Sequence, residues 1–103
     1  MRIVFRKKLR VHWETPGREQ SGQPLKTWYN VVGKAEWKTS GDVKSVFGAS
    51  EDLADGRYVF NVKGNDFQMI CAIDFVRHGV LVLWVGTHRE YDELHKNKGK
   101  TLK

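Results

Sequence analysis

The sequence predicts an α+β fold, with an N-terminal strand and helices packed on one face of a small, mainly antiparallel sheet and a short helix at the C-terminus. Three observations carry this expectation. Leu25, Trp28, Tyr29 and Val32 recur at i, i+3, i+4 and i+7, the spacing of one helix face. From Arg57 the period falls to two: Tyr58, Phe60 and Val62 share one face, Val59, Asn61 and Lys63 the other. Thr87-His88-Arg89-Glu90 fits the S/T-x-x-E capping box that opens a helix. Helices grouped ahead of a strand meander imply two layers around one core.

Taken in order, Ile3 and Phe5 alternate with Arg2 and Val4, so a short first strand is expected. Lys7 to Glu14 then form a brief helix burying Leu9 and Trp13, ended by Thr15-Pro16-Gly17. Arg18 to Gln23 is a polar loop or frayed helix start ahead of the main helix, which closes near Gly33. Ser40 and Asp42 suit the cap of a further short helix through Val43 and Phe47. Glu51 to Gly56 is expected to be a turn-rich connection. Gly64-Asn65 supplies a hairpin turn, because both residue types tolerate positive φ. Phe67, Met69, Cys71, Ile73 and Phe75 mark one face of the next strand, and Arg77-His78-Gly79 turns into Leu81 to Val85, apolar on both faces like an interior strand. The last helix is expected from His88 to about Lys96. The sheet face opposite the helices is expected to stay open for binding.

A chain of 103 residues with 40% hydrophobic residues has room for one domain, with a core over about 1–96 and a basic tail over about 97–103. No internal repeat is visible. The formal charge of +6 and a pI near 9.6 favour polyanionic partners. Charged or polar residues interrupt every apolar stretch well short of the roughly 20 residues that span a bilayer, so no membrane helix is expected. Met1 to Arg10 lacks the continuous apolar segment of a signal peptide, which makes the cytoplasm the expected compartment. Cys71, the single cysteine, excludes an internal disulfide and a multi-cysteine metal site, and suits a buried filler better than a nucleophile.

Five segments, in order, together resemble the HigB toxins within the RelE-like ribonucleases. They are Trp28-Tyr29; Ala35-Glu36-Trp37-Lys38; Asp42-Val43-Lys44; Arg57-Tyr58-Val59-Phe60-Asn61-Val62-Lys63-Gly64-Asn65; and Gly86-Thr87-His88-Arg89-Glu90-Tyr91-Asp92. The likeness runs from about Leu9 to Leu94. It implies a RelE-like fold, ribosome-dependent cleavage of messenger RNA without a metal or other cofactor, and a cognate helix-turn-helix antitoxin. The partners it implies are therefore mRNA, the ribosome and that antitoxin. Gln68 departs from the pattern, standing three positions after the Gly-Asn turn where the family commonly carries Arg or another basic residue.

Metal-free RNA cleavage needs a proton acceptor for the 2′-hydroxyl, a proton donor for the leaving 5′-oxygen, and positive charge on the phosphate. Such attack leaves a 2′,3′-cyclic phosphate or its 3′-phosphate. His88 suits base or acid, since histidine is the side chain that exchanges a proton closest to neutral pH. Tyr91, one turn further along the helix, would orient His88, bind phosphate or stack on a base, or else simply cover the core edge. Arg57 completes the expected catalytic set. Lys38, Trp37, Lys63, Asn65 and Gln68 form the expected RNA-binding set, with Trp37 either core or a partly exposed stacking platform. Glu90 suits the capping partner of Thr87 better than a general base. His88 and His95 are about two helical turns apart, roughly 10 Å, too far to share one ion without other ligands. A catalytically weak or inactive RNA-binding module, or a co-repressor acting with the antitoxin, is the competing reading, and Gln68 is the feature that favours it.

Overall fold

The computed structural model describes residues 1–48, 50–64 and 66–96, with the backbone alone at Ala54, His95 and Lys96. Asn65, the side chain of His95 and the expected basic tail over 97–103 lie outside the described residues. Strand β1 (Arg2–Val4) leads to helix α1 (Lys7–Glu14), a 3-10 turn (Glu19–Ser21), helix α2 (Gly22–Lys34) and helix α3 (Ser40–Val46). Four strands follow: β2 (Glu51–Ala54), β3 (Arg57–Val62), β4 (Phe67–Asp74) and β5 (Gly79–Thr87), and helix α4 (His88–Lys96) comes last. In the sheet the order is β1-β5-β4-β3-β2. Only β1 with β5 is parallel, so the sheet is mixed but mainly antiparallel.

Local chemistry accounts for most boundaries. Gly17, at φ +86, supplies the left-handed residue after α1. The cap of α3 is Thr39, one residue before the expected Ser40: its hydroxyl accepts from the Asp42 N–H at 3.2 Å, and the Asp42 carboxylate accepts from the Thr39 N–H at 3.2 Å. Thr39 wins because its extended backbone places its side chain over the helix end. In the β3–β4 hairpin the left-handed residues among those described are Lys63 (φ +53) and Gly64 (φ +63). The expected turn over Glu51 to Gly56 is corrected, since Glu51 to Ala54 forms an edge strand and only Asp55 and Gly56 turn. Its polar outer residues and the register shift around Leu53 erase the alternation that would have announced it.

The alternating faces are those expected. Tyr58, Phe60 and Val62 of β3, Phe67, Met69, Cys71 and Ile73 of β4, and Val80 and Val82 of β5 pack against Leu9 of α1, Leu25, Trp28 and Val32 of α2, and Val43 of α3. Phe60 sits at the centre, edge-on to Trp28 (5.6 Å between ring centroids) and to Phe47 (5.2 Å). Truncating such a ring to Ala costs about 3–5 kcal/mol. Cys71 is fully buried, and burial pushes its thiol far above the ordinary range, as a filler requires.

Helix α4 crosses to the opposite face of the sheet. There Tyr91 and Leu94 pack on Val59, Ile70, Leu53 and Trp84, forming a second, smaller core. The face left open by α1 to α3 is therefore partly covered, and this cover decides which of its residues reach solvent.

Candidate functional site

Thr87 and Glu90 close a reciprocal capping box at the start of α4. The Thr87 N–H donates to Glu90 Oε1 at 2.8 Å and the Glu90 N–H to Thr87 Oγ1 at 3.1 Å. The Thr87 backbone N–H, aided by Arg18, holds the Glu90 carboxyl below its ordinary range against the opposing effect of its partial burial. Arg18 Nη2 lies 3.4 Å from Glu90 Oε2, so the first turn of α4 is tied to the loop after α1. A carboxylate engaged on both oxygens in this way is a cap and not a free base.

His88, the first residue of α4, is anchored through its backbone, its N–H donating to the Asp66 carbonyl of the β3–β4 turn at 3.1 Å. Its imidazole is half exposed, with Nε2 3.4 Å from Asp92 Oδ2 one helical turn on. That leaves Nδ1 for a ligand. Lys63 belongs to the same turn as Asp66: its ammonium reaches Asp66 Oδ2 at 3.3 Å and also donates to Gln20 Oε1. The fold thus gathers His88, Lys63 and Arg18 at one end of the sheet, held by Asp66, Asp92 and Glu90. Asp92, Arg18 and Gln20 were not anticipated. Asp92 was legible from the i, i+4 spacing to His88, whereas Arg18 and Gln20 arrive from a separate loop with no local signal.

Other expected residues lie elsewhere. Tyr91 is 7% exposed, its ring 6.1 Å from that of Trp84, and burial, with Glu51 and Asp92 nearby, pushes its hydroxyl above the ordinary range. Its ring covers the second core and has no face left for stacking on a base. Trp37 is corrected in the same sense. At 3% exposure, edge-on to Phe47 at 6.0 Å, it is core and no stacking platform. Arg57 pairs across the sheet with Ala72 and lies near Asp55, its Nη2 to Oδ2 at 3.8 Å. His88, by contrast, follows Thr87, which is level with Phe67 and Val62. From Arg57 to Val62 is about 16 Å of strand, so the two residues sit at opposite ends. Lys38 is exposed in a depression between α2 and α3 beside Val31, Lys34 and Ser45, apart from His88.

Gln68 faces the α4 side of the sheet, as alternation requires, but it is 8% exposed. Its amide donates to Asn61 Oδ1 across the strands at 2.9 Å, and its Oε1 is buried without a hydrogen-bond partner. The expectation of an open-surface phosphate ligand is thereby corrected: the strand places Gln68 on the right face, but its side chain is buried there against Asn61. A buried orphan acceptor costs about 1–3 kcal/mol, a debit the surrounding packing offsets. Among the described residues, no three His, Cys, Asp or Glu side chains converge as a metal site would require.

Comparison with known proteins agrees with this architecture. Residues 21–94 match the model of the HigB toxin family, described as the RelE-like toxic component of a toxin-antitoxin system. The chain is 33% identical over 76 residues to the mRNA interferase toxin HigB of Escherichia coli (strain K12), covering 69% of this chain and 73% of the relative. The same figures hold for the mRNA interferase HigB of Escherichia coli O157:H7 and of Shigella flexneri. The matched span runs from the end of the 3-10 turn to α4 and so includes the whole β2–β5 meander together with His88, Lys63 and Asp92. With nearly all of its core inside that span, the chain belongs to the HigB family of RelE-like toxins.

Proposed function

We propose that this protein is a toxin that cleaves messenger RNA on the ribosome by attack of the 2′-hydroxyl, with His88 as the proton-transfer group. The observation that carries the reading is the half-exposed imidazole of His88, fixed by its backbone to Asp66, steered by Asp92 and set beside the turn that holds Lys63. Nδ1 of His88 takes the proton as the 2′-oxygen bonds to phosphorus. The bond to the 5′-oxygen breaks on the opposite side, and that oxygen takes its proton from a second donor, for which Lys63 is the cation of this chain tied to the same turn. Positive charge from Lys63 also offsets the charge growing on the phosphoryl oxygens. The ends left are a 2′,3′-cyclic phosphate and a 5′-hydroxyl. The ribosome positions the message, and a cognate helix-turn-helix antitoxin is the partner that restrains the protein.

Induced alone in bacteria, the protein is expected to stop growth and cut translated messages, and His88→Ala is expected to lower cleavage about 10²- to 10⁴-fold while remaining folded. A folded His88→Ala variant that cleaves at the wild-type rate removes His88 from the chemistry. Products with 5′-phosphate and 3′-hydroxyl ends exclude the 2′-hydroxyl route. Gln68 favours a second reading, an RNA-binding module or co-repressor without catalysis, because a buried neutral amide supplies no charge to a phosphate. Normal growth and intact messages at confirmed expression would decide for it.

A further inference from the structure

Positive charge is also concentrated away from His88, on the outer side of the helical layer. Arg2, Arg6, Lys7, Lys8 and Arg10 fall within the first ten residues with no carboxylate among them. Helix α1 turns Lys7, Arg10 and Trp13 toward α2, and α2 presents Lys26 and Tyr29 in return. Between the helices lies an open groove of about 620 Å³ with Leu9 in its wall. Two contacts cross it. Arg6 Nη1 donates to the Tyr29 hydroxyl at 2.9 Å, and the Lys26 ammonium stands 5.1 Å from the centre of the Trp13 ring. No carboxylate lines the groove, and among the described residues none of Arg6, Lys7, Arg10 and Lys26 is in an ion pair. At the His88 end, by contrast, Arg18 and Lys63 are each matched by a carboxylate.

We infer that this groove, framed by Arg6, Lys7, Arg10 and Lys26 with Trp13 and Tyr29, is a second RNA-binding surface that takes a single-stranded phosphodiester backbone away from the catalytic end. The inference rests on the functional reading above only for the class of ligand. Unmatched cations interleaved with half-buried rings are what a sequence-tolerant strand site needs, because the cations track the phosphates and the rings accept any base face. The Tyr29 hydroxyl holds Arg6 across the groove without neutralising it. A base arriving on Trp13 frees Lys26 for the adjacent phosphate. Lys7 lines both this groove and the neighbouring depression along β5, where Lys8, Arg18 and Glu90 lie. A strand leaving the groove passes Lys7 and Lys8 into that depression, whose lining also includes Phe5, Val11, Leu83, Trp84 and Val85.

The RNA has two sources, ribosomal RNA or the part of the message flanking the cut, and the test separates them. The full-length Arg10→Gln/Lys26→Gln variant is compared with wild type on an unstructured, 2′-O-methylated oligonucleotide by anisotropy across a salt series. It is also compared on message-free ribosomes by co-sedimentation. Each lost phosphate contact on a single strand removes about 0.7 from the salt slope, equivalent to about 5-fold in affinity near 0.1 M salt, so the double variant should lose about 25-fold. A loss on the oligonucleotide alone assigns the groove to the message; a loss on message-free ribosomes as well assigns it to ribosomal RNA. Both readouts are binding measurements on RNA that is not cleaved, so failure of the cleavage reading does not carry this one with it. Unchanged affinity and salt slope in a variant with wild-type circular dichroism and Tm overturn the proposal. It also fails if RNA binding is kept while antitoxin binding is lost, since the groove is then a protein surface.

Discussion

His12 carries a pH dependence that its position in the chain does not announce. It is buried on the core side of α1, edge-on to Phe67 at 5.4 Å, with Nδ1 2.8 Å from the Ser21 hydroxyl. That hydroxyl donates to the Arg18 carbonyl at 2.8 Å, so Nδ1 is the nitrogen that carries the proton, and Nε2 is buried without a partner. Burial lowers the pKa of the ring, Arg18 lowers it further, and Glu90 opposes both. As pH falls past the ordinary histidine value near 6.5, the unfolded chain takes up a proton before the folded one does. The stability contributed by neutral His12 is therefore complete above about pH 6.5 and is lost as pH falls from there toward the lower folded value. Thermal unfolding of wild type between about pH 7 and about pH 5 should show this decline, and His12→Phe should flatten it. Equal slopes in the two proteins would remove His12 as the linked group. Glu90 acts in a separate window: its depressed pKa contributes above the ordinary carboxylate value and is lost only as pH falls through the lower folded value. The capping box at Thr87 put His88 at the start of α4, and the structure leaves it exposed there. Sequence reasoning misjudged Trp37 and Gln68 because flanking charges and strand parity say nothing about what later covers a side chain.

At the scale of elements, β5 and α4 meet at Gly86. A Cβ there would lie 2.4 Å from Trp84 Cζ2 and 3.0 Å from Glu90 Oε1, so the indole lies across the glycine and beside the capping box. Gly86→Ala should force the indole off its seat, costing about 1–3 kcal/mol of stability by overpacking. With His88 in its proposed role, the same change should also lower cleavage, because α4 carries that residue. Urea denaturation checks the first effect, and an unchanged midpoint would mean that the ring has another place to go. Periodicity and capping found α1, α2, β3, β4, β5 and the start of α4, since each is written in residues a few positions apart. Strand β2 escaped because an edge strand with two acidic residues and a register shift has no periodic face to display.

The whole molecule combines the +6 charge of its chain with a fold that keeps two groups of side chains apart. One end of the sheet offers His88, and the helical layer offers unmatched cations. Membership of a toxin family implies an antitoxin, and co-expression of the helix-turn-helix protein proposed as that partner should restore growth and give a complex that co-purifies. Persistent arrest with both proteins present and separable would break the partnership. The sequence by itself determined the α+β class, the order of the elements, the two faces of the meander, the capping box at Thr87 and the likeness to HigB toxins. Each of these depends on residues close together in the chain or on their order along it. Only the tertiary structure decided that Lys63 and Arg18 come to the end of the sheet that bears His88 while Arg57 and Lys38 do not. It alone decided that Tyr91 and Gln68 are covered, and that α1 and α2 bring their cations to one groove. Those outcomes depend on contacts between residues far apart in sequence, such as Arg18 with Glu90, Gln20 with Lys63 and Lys26 with Trp13, which exist only once the helices and strands have packed.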